Sequence, residues 1–242
     1  MTLRDIIVNW LLRAIFLSVL ALLIGCTTSQ SKQARRVEKS GFLGDYSMLR
    51  PGGEGEALLF YENPEANWPA YNKVFLAPVA YYGGRDTYPK GFTRADLQEL
   101  VNRFYYILYN DLAEDYQMVG EPAPHTLSIQ VALTSVGESS QTADSVSAVA
   151  PFIVNPIRNF AGSLSGETVF AGQASIEIKI TDELTGKLLY AAVDRRVGQR
   201  STSGSSTSRT ADVEEIMWYW GDLARYRLCT LRGGEKCIRP EQ

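Results

Sequence analysis

The sequence has few of the residues on which most enzyme mechanisms depend. Among its 242 residues there are one histidine and three cysteines. The histidine, His125, follows Pro124 at the entrance of a predicted strand, and no catalytic motif surrounds it. The G-x-S-x-G sequence of serine hydrolases is also missing, so a Ser-His-Asp mechanism has no support. We therefore predict no catalytic residue and expect a protein that is not an enzyme.

Sites for cofactors and metals are missing as well. Neither type of glycine-rich phosphate loop occurs, and two cysteines with one distant histidine make a poor zinc site. The formal net charge of −3 gives no basic surface for nucleic acid. We predict no cofactor, no metal and no nucleic-acid partner.

Carboxylates leave one enzymatic alternative open. A hydrolase acting on peptidoglycan needs only two acids that meet in a groove, and a sequence does not show which acids meet. Helix-end solvation and turn formation also account for the five candidate acids, which are Glu114, Asp115, Asp182, Glu183 and Asp194.

What the sequence does have is an apolar segment near its amino terminus. Arg4 and Arg13 supply positive charge, and Ala14–Ile24 supplies an apolar core, which is the order of a secretory signal. The segment closes with the sequence L-I-G-C at residues 23–26. This sequence resembles the lipobox of bacterial lipoproteins.

The lipobox resemblance implies a location. It implies cleavage between Gly25 and Cys26 and acylation of Cys26 with diacylglycerol and a further chain such as palmitate. An uncleaved membrane anchor is the alternative, but Arg13 within the span costs at least about 2.5 kcal/mol. Thr27, rather than aspartate, follows the cysteine, which resembles the outer-membrane class of enterobacterial lipoproteins. We expect a lipid-anchored protein on the periplasmic side of the outer membrane.

Three parts are predicted along the chain. They are a lipoprotein signal over residues 1–25, a lipidated polar tether over residues 26–39 and a single globular periplasmic domain over residues 40–242. The tether is polar and has no apolar periodicity. Its pair of arginines at 35–36 either contacts anionic headgroups or is simply solvated.

The two remaining cysteines predict a disulfide. Cys229 and Cys237 are close in sequence, and two glycines between them, at 233–234, can form a turn. In an oxidising periplasm such a pair forms a structural bridge. A redox-active pair is the alternative, although its spacing is normally C-x-x-C.

Apolar periodicity predicts two helices and several strands. Thr93–Tyr116 has an apolar face at helical spacing, with a capping-box pattern at Thr93 and Asp96. A second helix begins near Thr210. The predicted strands are Val74–Tyr81 with an end or bulge near Pro78, Leu127–Leu133, Ala174–Thr181 and Leu188–Val193. This order predicts an α/β chain of the α+β type, a single layered domain whose mixed or antiparallel sheet carries two main helices on one face.

Three segments resemble a known family. They are Ser40–Gly52, Lys73–Val79 and Asp182–Leu188. In these segments the chain resembles the family catalogued as domain of unknown function 3313, a set of bacterial lipoproteins. The resemblance implies a location and a fold for nearly all of the mature chain, and it implies no activity.

One long segment fits no regular element. Residues 137–172 are rich in serine, alanine and glycine and include an apolar stretch at 148–157. Pro151 and Pro156 argue against a regular strand or helix there. Either the segment folds over the sheet, or it contacts a membrane or a partner. The candidate contact residues are Val149, Phe152, Ile153, Val154 and Ile157.

Aromatic residues are the remaining candidates for binding. A row of Tyr105, Tyr109 and Tyr116 either meets a partner or sugar or forms a half-buried core margin. Trp218 and Tyr219, which lie off the apolar stripe of the last helix, form either an interaction patch or part of a broad buried face. The predicted location and the missing catalytic motifs favour a non-enzymatic binding or assembly module that contacts an envelope protein or peptidoglycan. A peptidoglycan hydrolase and an oligomeric membrane-assembly or pore accessory are the alternatives.

Overall fold

Strands and helices pack as two layers in the residues that the structure describes. The computed structural model describes residues 31–34, 36–53, 55–83, 89–139, 171–198 and 209–241. Within these ranges nine strands form one sheet, and two long helices pack against one face of it. The predicted fold class, an α+β domain with a mixed sheet, is confirmed.

The sheet is built around three long antiparallel strands at its centre. In chain order the strands are β1 (Lys32–Gln33), β2 (Arg50–Pro51), β3 (Leu59–Glu62), β4 (Lys73–Leu76), β5 (Ala80–Tyr81), β6 (Gln117–Met118), β7 (Thr126–Ser139), β8 (Ala171–Asp182) and β9 (Leu188–Val197). The sheet order is β2-β3-β9-β8-β7-β4-β6, with β1 paired to β9 and β5 paired to β7. Strand β7 pairs parallel with β4 and β5, which makes the sheet mixed.

The predicted interruption at Pro78 is confirmed. The apolar run over 74–81 forms two strands, β4 and β5, with Pro78 between them. Proline has no backbone N–H and cannot donate to a ladder, so the strand stops and resumes after it. Both pieces still lie along β7.

The hairpin between β8 and β9 forms as its alternation predicts. Ile176, Ile178 and Ile180 face the helices, and the intervening residues face the opposite side of the sheet. The turn closes through the carboxylate of Asp182, whose Oδ1 accepts hydrogen bonds from the Thr185 backbone N–H at 2.8 Å and its hydroxyl at 2.7 Å.

The first helix, α1 (Arg94–Ala113), begins at its predicted cap. The Thr93 hydroxyl accepts from the Asp96 backbone N–H, and the Asp96 carboxylate accepts from the Thr93 backbone N–H at 2.7 Å. The buried face of α1 consists of the residues that its sequence periodicity selects, namely Leu97, Leu100, Val101, Phe104, Ile107, Leu108 and Leu112.

The second helix, α2 (Arg209–Leu231), starts one residue before the predicted cap at Thr210. It packs against α1 and β8. The two helices approach closely at Gly221, where a Cβ atom would lie 2.8 Å from the Ile107 side chain and still closer to the carboxylate of Asp111. Glycine at this position therefore lets the helices touch.

Two predicted loops are shorter in the structure. Part of the predicted tether, Lys32–Gln33, is strand β1, because its backbone pairs with the free edge of β9. Both ends of the segment 137–172 are strand, since Gly137 pairs with Gln173 and Glu138 pairs with Gly172. Antiparallel pairing between β7 and β8 extends both strands beyond the point where side-chain alternation in the sequence ends.

Candidate functional site

A groove with exposed aromatic side chains runs along the helix layer. We call it the aromatic groove. It has a volume of about 590 Å³, within the roughly 300–1,000 Å³ of typical ligand pockets. Trp218 is 50% exposed and Tyr106 is 65% exposed. The lining residues are Ala95, Gln98, Glu99, Asn102, Arg103, Tyr106, Ile107, Asn110 and Trp218.

Trp218 is exposed whereas its neighbours in the sequence are buried, because the helical repeat of α2 turns it to the outer side. Met217, Tyr219 and Trp220 are buried, whereas Trp218 lies on the outer side of the helix, where the groove side of α1 is its neighbour. The sequence left both Trp218 and Tyr219 as candidates for an interaction patch. The structure places Trp218 at the surface and Tyr219 in the interior.

An ion pair between the two helices holds a charged side chain at the aromatic groove. The Nε of Arg103 lies 3.2 Å from a carboxylate oxygen of Glu214, which links α1 to α2 across the groove wall. An exposed pair of this kind adds little stability, at most about 1 kcal/mol. Its effect is to hold the guanidinium beside Tyr106 and Trp218. Tryptophan, tyrosine and arginine are the residue types that most often dominate binding energy at protein interfaces.

The predicted tyrosine row does not form one surface. Tyr116 is buried, with the guanidinium of Arg232 over its ring at 4.4 Å. Tyr105 is half-buried, and its ring lies 6.0 Å from those of Tyr106 and Tyr109. Tyr106, the most exposed tyrosine of this helix, is absent from the predicted row, although its position off the apolar stripe could have identified it.

The candidate acids are dispersed over the described part of the chain. Asp182 closes the hairpin turn, and Asp194 is buried, where it accepts a hydrogen bond from the indole of Trp220 at 2.8 Å. Asp115 pairs with Arg225 at 2.7 Å, and Glu114 lies 4.0 Å from the same guanidinium. Asp194 lines the cavity beneath the helices, and Asp115 lines a separate cavity beside Arg225.

A different pair of acids meets where the two helices touch. Asp111 of α1 lies near Asp222 of α2, and the Oδ2 of Asp111 is buried without a hydrogen-bond partner among the described residues. Burial, followed by repulsion from Asp222, raises the pKa of Asp111 to about 6, although Arg225 opposes the rise. Sequence reasoning missed this pair, because two helices distant in the chain supply it.

Replacement of Asp111 by asparagine is expected to stabilise the protein at pH 8 by about 1 kcal/mol, after allowance for solvent screening. A folded-state pKa raised from 3.8 to about 6 means that the stability associated with the neutral acid is lost as pH rises through 6. Asparagine stays neutral, so its advantage should vanish below about pH 4. Urea denaturation across this pH range measures the difference.

The matched control for this prediction is Glu99→Gln, which changes an exposed carboxylate on the same helix. Because this side chain is exposed, its substitution should change stability at pH 8 by less than Asp111→Asn does. A flat pH profile for the Asp111→Asn difference would contradict the assignment of a raised pKa to Asp111.

A cavity beneath the helices is too small to be a ligand site. Its volume is about 60 Å³, far below the roughly 300 Å³ at which ligand pockets begin. The wall is apolar except at Tyr190, Asp194 and Arg227. Burial raises the pKa of Asp194, while hydrogen bonds from Trp220 and Gln33 oppose the rise.

The predicted disulfide is confirmed. Cys229 and Cys237 are bonded with their Cα atoms 5.6 Å apart. Gly233 adopts a φ of 76°, which forms the turn between them. His125 is exposed at a φ of 60°, and its carbonyl accepts hydrogen bonds from the backbone N–H groups of Asn72 and Lys73. These contacts fit a turn residue.

Several predicted site residues lie outside the described residues. They are Gly25, Cys26 and the candidate contact residues Val149, Phe152, Ile153, Val154 and Ile157. Among the described helices none is long and apolar enough to cross a membrane. Within the same ranges no group of three or more histidines, cysteines and acids could hold a metal ion.

Comparisons with known proteins identify a family. The family model described as "Protein of unknown function (DUF3313)" matches residues 38–224. No curated protein matches the chain.

Similar solved structures include proteins from three bacteria. The PelC dodecamer from Paraburkholderia phytofirmans is 9% identical, with a TM-score of 0.34 over 73% of this chain and 96% of that chain. A DUF330 protein from Xanthomonas campestris is 12% identical, with a TM-score of 0.40 over 70% and 90%. A DUF4136 protein from Bacteroides thetaiotaomicron is 15% identical, with a TM-score of 0.30 over 66% and 92%. At these values the similarity carries no statement about function.

Proposed function

Because the chain belongs to the DUF3313 family, whose description assigns no activity, we propose a function from its own residues. The protein is a lipid-anchored, non-enzymatic binding module on the periplasmic face of the outer membrane. Its binding surface is the aromatic groove, and its partner is a protein of the cell envelope.

The observation that carries this proposal is the exposure of Trp218 and Tyr106 beside Arg103. A monomeric protein gains no stability from a half-exposed indole, whereas a partner that covers the ring removes apolar area from water. Arg103 supplies donors for the polar side of the same contact. The groove thus combines apolar and polar side chains, as protein interfaces do.

The anchor follows from the amino-terminal sequence. A lipobox at residues 23–26 supports acylation of Cys26, and two or three acyl chains hold a protein on a membrane permanently. The Cys229–Cys237 bridge is consistent with an oxidising compartment such as the periplasm. Replacement of Cys26 by alanine should therefore release the protein from the membrane fraction.

Replacement of Trp218 by alanine is expected to weaken partner binding by about 2 kcal/mol, or about thirtyfold in Kd. The acylated protein is isolated from cross-linked envelopes, its partner is identified, and the affinity of the purified pair is measured. The fold should be unchanged, because Trp218 is not part of the core.

Leu184→Ala is the matched control, since Leu184 is 61% exposed and lies in the β8–β9 turn, away from the groove. It should leave binding unchanged. If Trp218→Ala and Tyr106→Ala both bind the partner as tightly as the original chain does, the groove is not the binding surface.

The opposing function is a peptidoglycan hydrolase using Asp111 and Asp222. Incubation of the purified protein with peptidoglycan should release no soluble fragments. If fragments are released, and the release disappears in Asp111→Asn and Asp222→Asn, the protein is a hydrolase and not a binding module.

An oligomeric assembly accessory is tested by measuring the native mass in mild detergent. A monomer alone would argue against this function.

A further inference from the structure

We propose that one particular end of the domain faces the membrane. This anchor end is defined by Ser31, Gly172, Gly198 and Asp212; the distal end is the β8–β9 turn with Leu184. The surface that the anchor end meets is the lipid surface holding Cys26. The inference rests on the proposed lipid anchor and adds an orientation to it.

A buried arginine fixes the start of the described chain to the sheet. The Nε of Arg196 donates to the Ser31 hydroxyl at 2.7 Å, and Nη2 donates to the Ser31 carbonyl at 2.5 Å. Arg196 is 1% exposed, and its guanidinium lies 3.6 Å from the ring centroid of Tyr219 on α2. Ser31 is therefore held by a group that is itself enclosed by the core.

Strand β1 directs the chain out of the anchor end. It runs antiparallel to β9, with Lys32 opposite Val197 and Gln33 opposite Arg196. The side-chain amide of Gln33 adds hydrogen bonds to the Glu56 carbonyl at 2.7 Å and to Asp194 at 2.8 Å. The chain before Ser31 therefore leaves the sheet at the end where β9 finishes.

Other elements meet at the same end. The Gly198 N–H donates to the Gly172 carbonyl at 2.7 Å, and the Gly172 N–H donates to the carboxylate of Asp212 at 2.9 Å. The start of β8, the end of β9 and the first turn of α2 thus form one surface around the exit of the chain.

The chain between the anchor and the sheet is short. Five Cα–Cα steps separate Cys26 from Ser31, and each spans at most about 3.6 Å, so Ser31 lies within about 18 Å of the acylated cysteine. The predicted tether through residue 39 would have allowed a much larger separation. Pairing of β1 removes most of that freedom.

The opposite end is held away from the lipid by the length of the strands. Strand β8 has 12 residues, and at about 3.3 Å per residue it places the distal end roughly 35–40 Å from the anchor end. Exposed Lys32 lies at the anchor end, opposite Val197 at the end of β9. Its positive charge suits anionic phospholipid headgroups.

Energy transfer to the membrane tests this orientation. The acylated full chain is placed in phosphatidylethanolamine–phosphatidylglycerol vesicles that carry an acceptor-labelled lipid. A donor dye is attached at Lys32→Cys or at Leu184→Cys, both exposed positions. The native cysteines do not react, because one is acylated and two form the disulfide. We expect several-fold more efficient transfer from position 32 than from position 184.

A longer tether is the matched control. Insertion of about ten glycine and serine residues between Thr28 and Ser29 leaves the Arg196–Ser31 contact intact but frees the domain to tumble. The difference between the two dye positions should then shrink. A difference that persists after the insertion would show that the short tether is not its cause, although the anchor end would still face the membrane; equal transfer from both positions in the original chain would overturn the proposal.

Different results would contradict the lipid anchor and the orientation of the domain. If the protein floats with the vesicles and both dyes transfer equally, the orientation is wrong and the anchor stands. If mass spectrometry finds no acylated amino-terminal peptide and the protein does not float, the anchor is wrong and the orientation falls with it.

Discussion

Replacement of Phe104 by alanine is expected to lower the free energy of unfolding by about 4 kcal/mol. Phe104 is fully buried at the centre of α1, and its ring centroid lies 5.9 Å from that of Trp220 on α2. The substitution removes apolar contacts and leaves a cavity between two helices that already touch at Gly221. The helices therefore cannot close further to fill it. Urea denaturation followed by circular dichroism measures the loss.

The control for this prediction lies two residues along the same helix. Tyr106→Ala removes a side chain of similar size that is 65% exposed, and its effect should stay within about 0.5 kcal/mol. Equal losses for the two variants would mean that α1 does not bury the face described above. The same Tyr106→Ala protein serves the binding experiment, because its fold should be intact.

Replacement of Glu177 by alanine is expected to cost about 3 kcal/mol for a different reason. Glu177 is fully buried on the sheet face opposite the helices. Its carboxylate accepts hydrogen bonds from the Ser40 N–H at 2.7 Å, the Leu43 N–H at 3.3 Å and the Tyr46 hydroxyl at 2.6 Å. Loss of the carboxylate leaves these donors without their acceptor, so residues 40–46 should detach from the sheet.

Hydrogen exchange separates this effect from a general loss of stability. In Glu177→Ala the Ser40 and Leu43 amides should exchange faster even where the core amides of β8 remain protected. Glu177→Gln keeps one acceptor oxygen and should retain part of the protection, and Tyr46→Phe should cost about 1 kcal/mol. Unchanged exchange at Ser40 and Leu43 in Glu177→Ala would contradict the proposed role of this carboxylate.

These two positions differ in how far the sequence predicts them. Phe104 belongs to a helix whose cap and apolar stripe both lie within one continuous segment, so local pattern suffices to bury it. Glu177 lies on the predicted polar side of a strand. Alternation assigns its face but does not reveal that residues 40–46, more than 130 positions earlier, cover that face.

In the candidate site, too, local sequence predicts some features and the packing of distant segments decides the others. The sequence selected Trp218 as a residue outside the apolar stripe, but the choice between surface and interior depended on where α1 lies. Tyr106 and Arg103 enter the aromatic groove because α1 and α2 pack side by side. Likewise, Asp111 and Asp222 meet only because the helices approach at Gly221.

The sequence by itself determined the class of fold, the capped first helix, the interruption at Pro78 and the disulfide, since each depends on residues close together in the chain. Its prediction of an acylated Cys26 likewise rests on one short motif. Tertiary structure alone decided the aromatic groove, the burial of Glu177 and the attachment of Ser31 to Arg196. These features join segments that are distant in the chain, and hydrophobic packing and long-range strand pairing, rather than local pattern, bring such segments together.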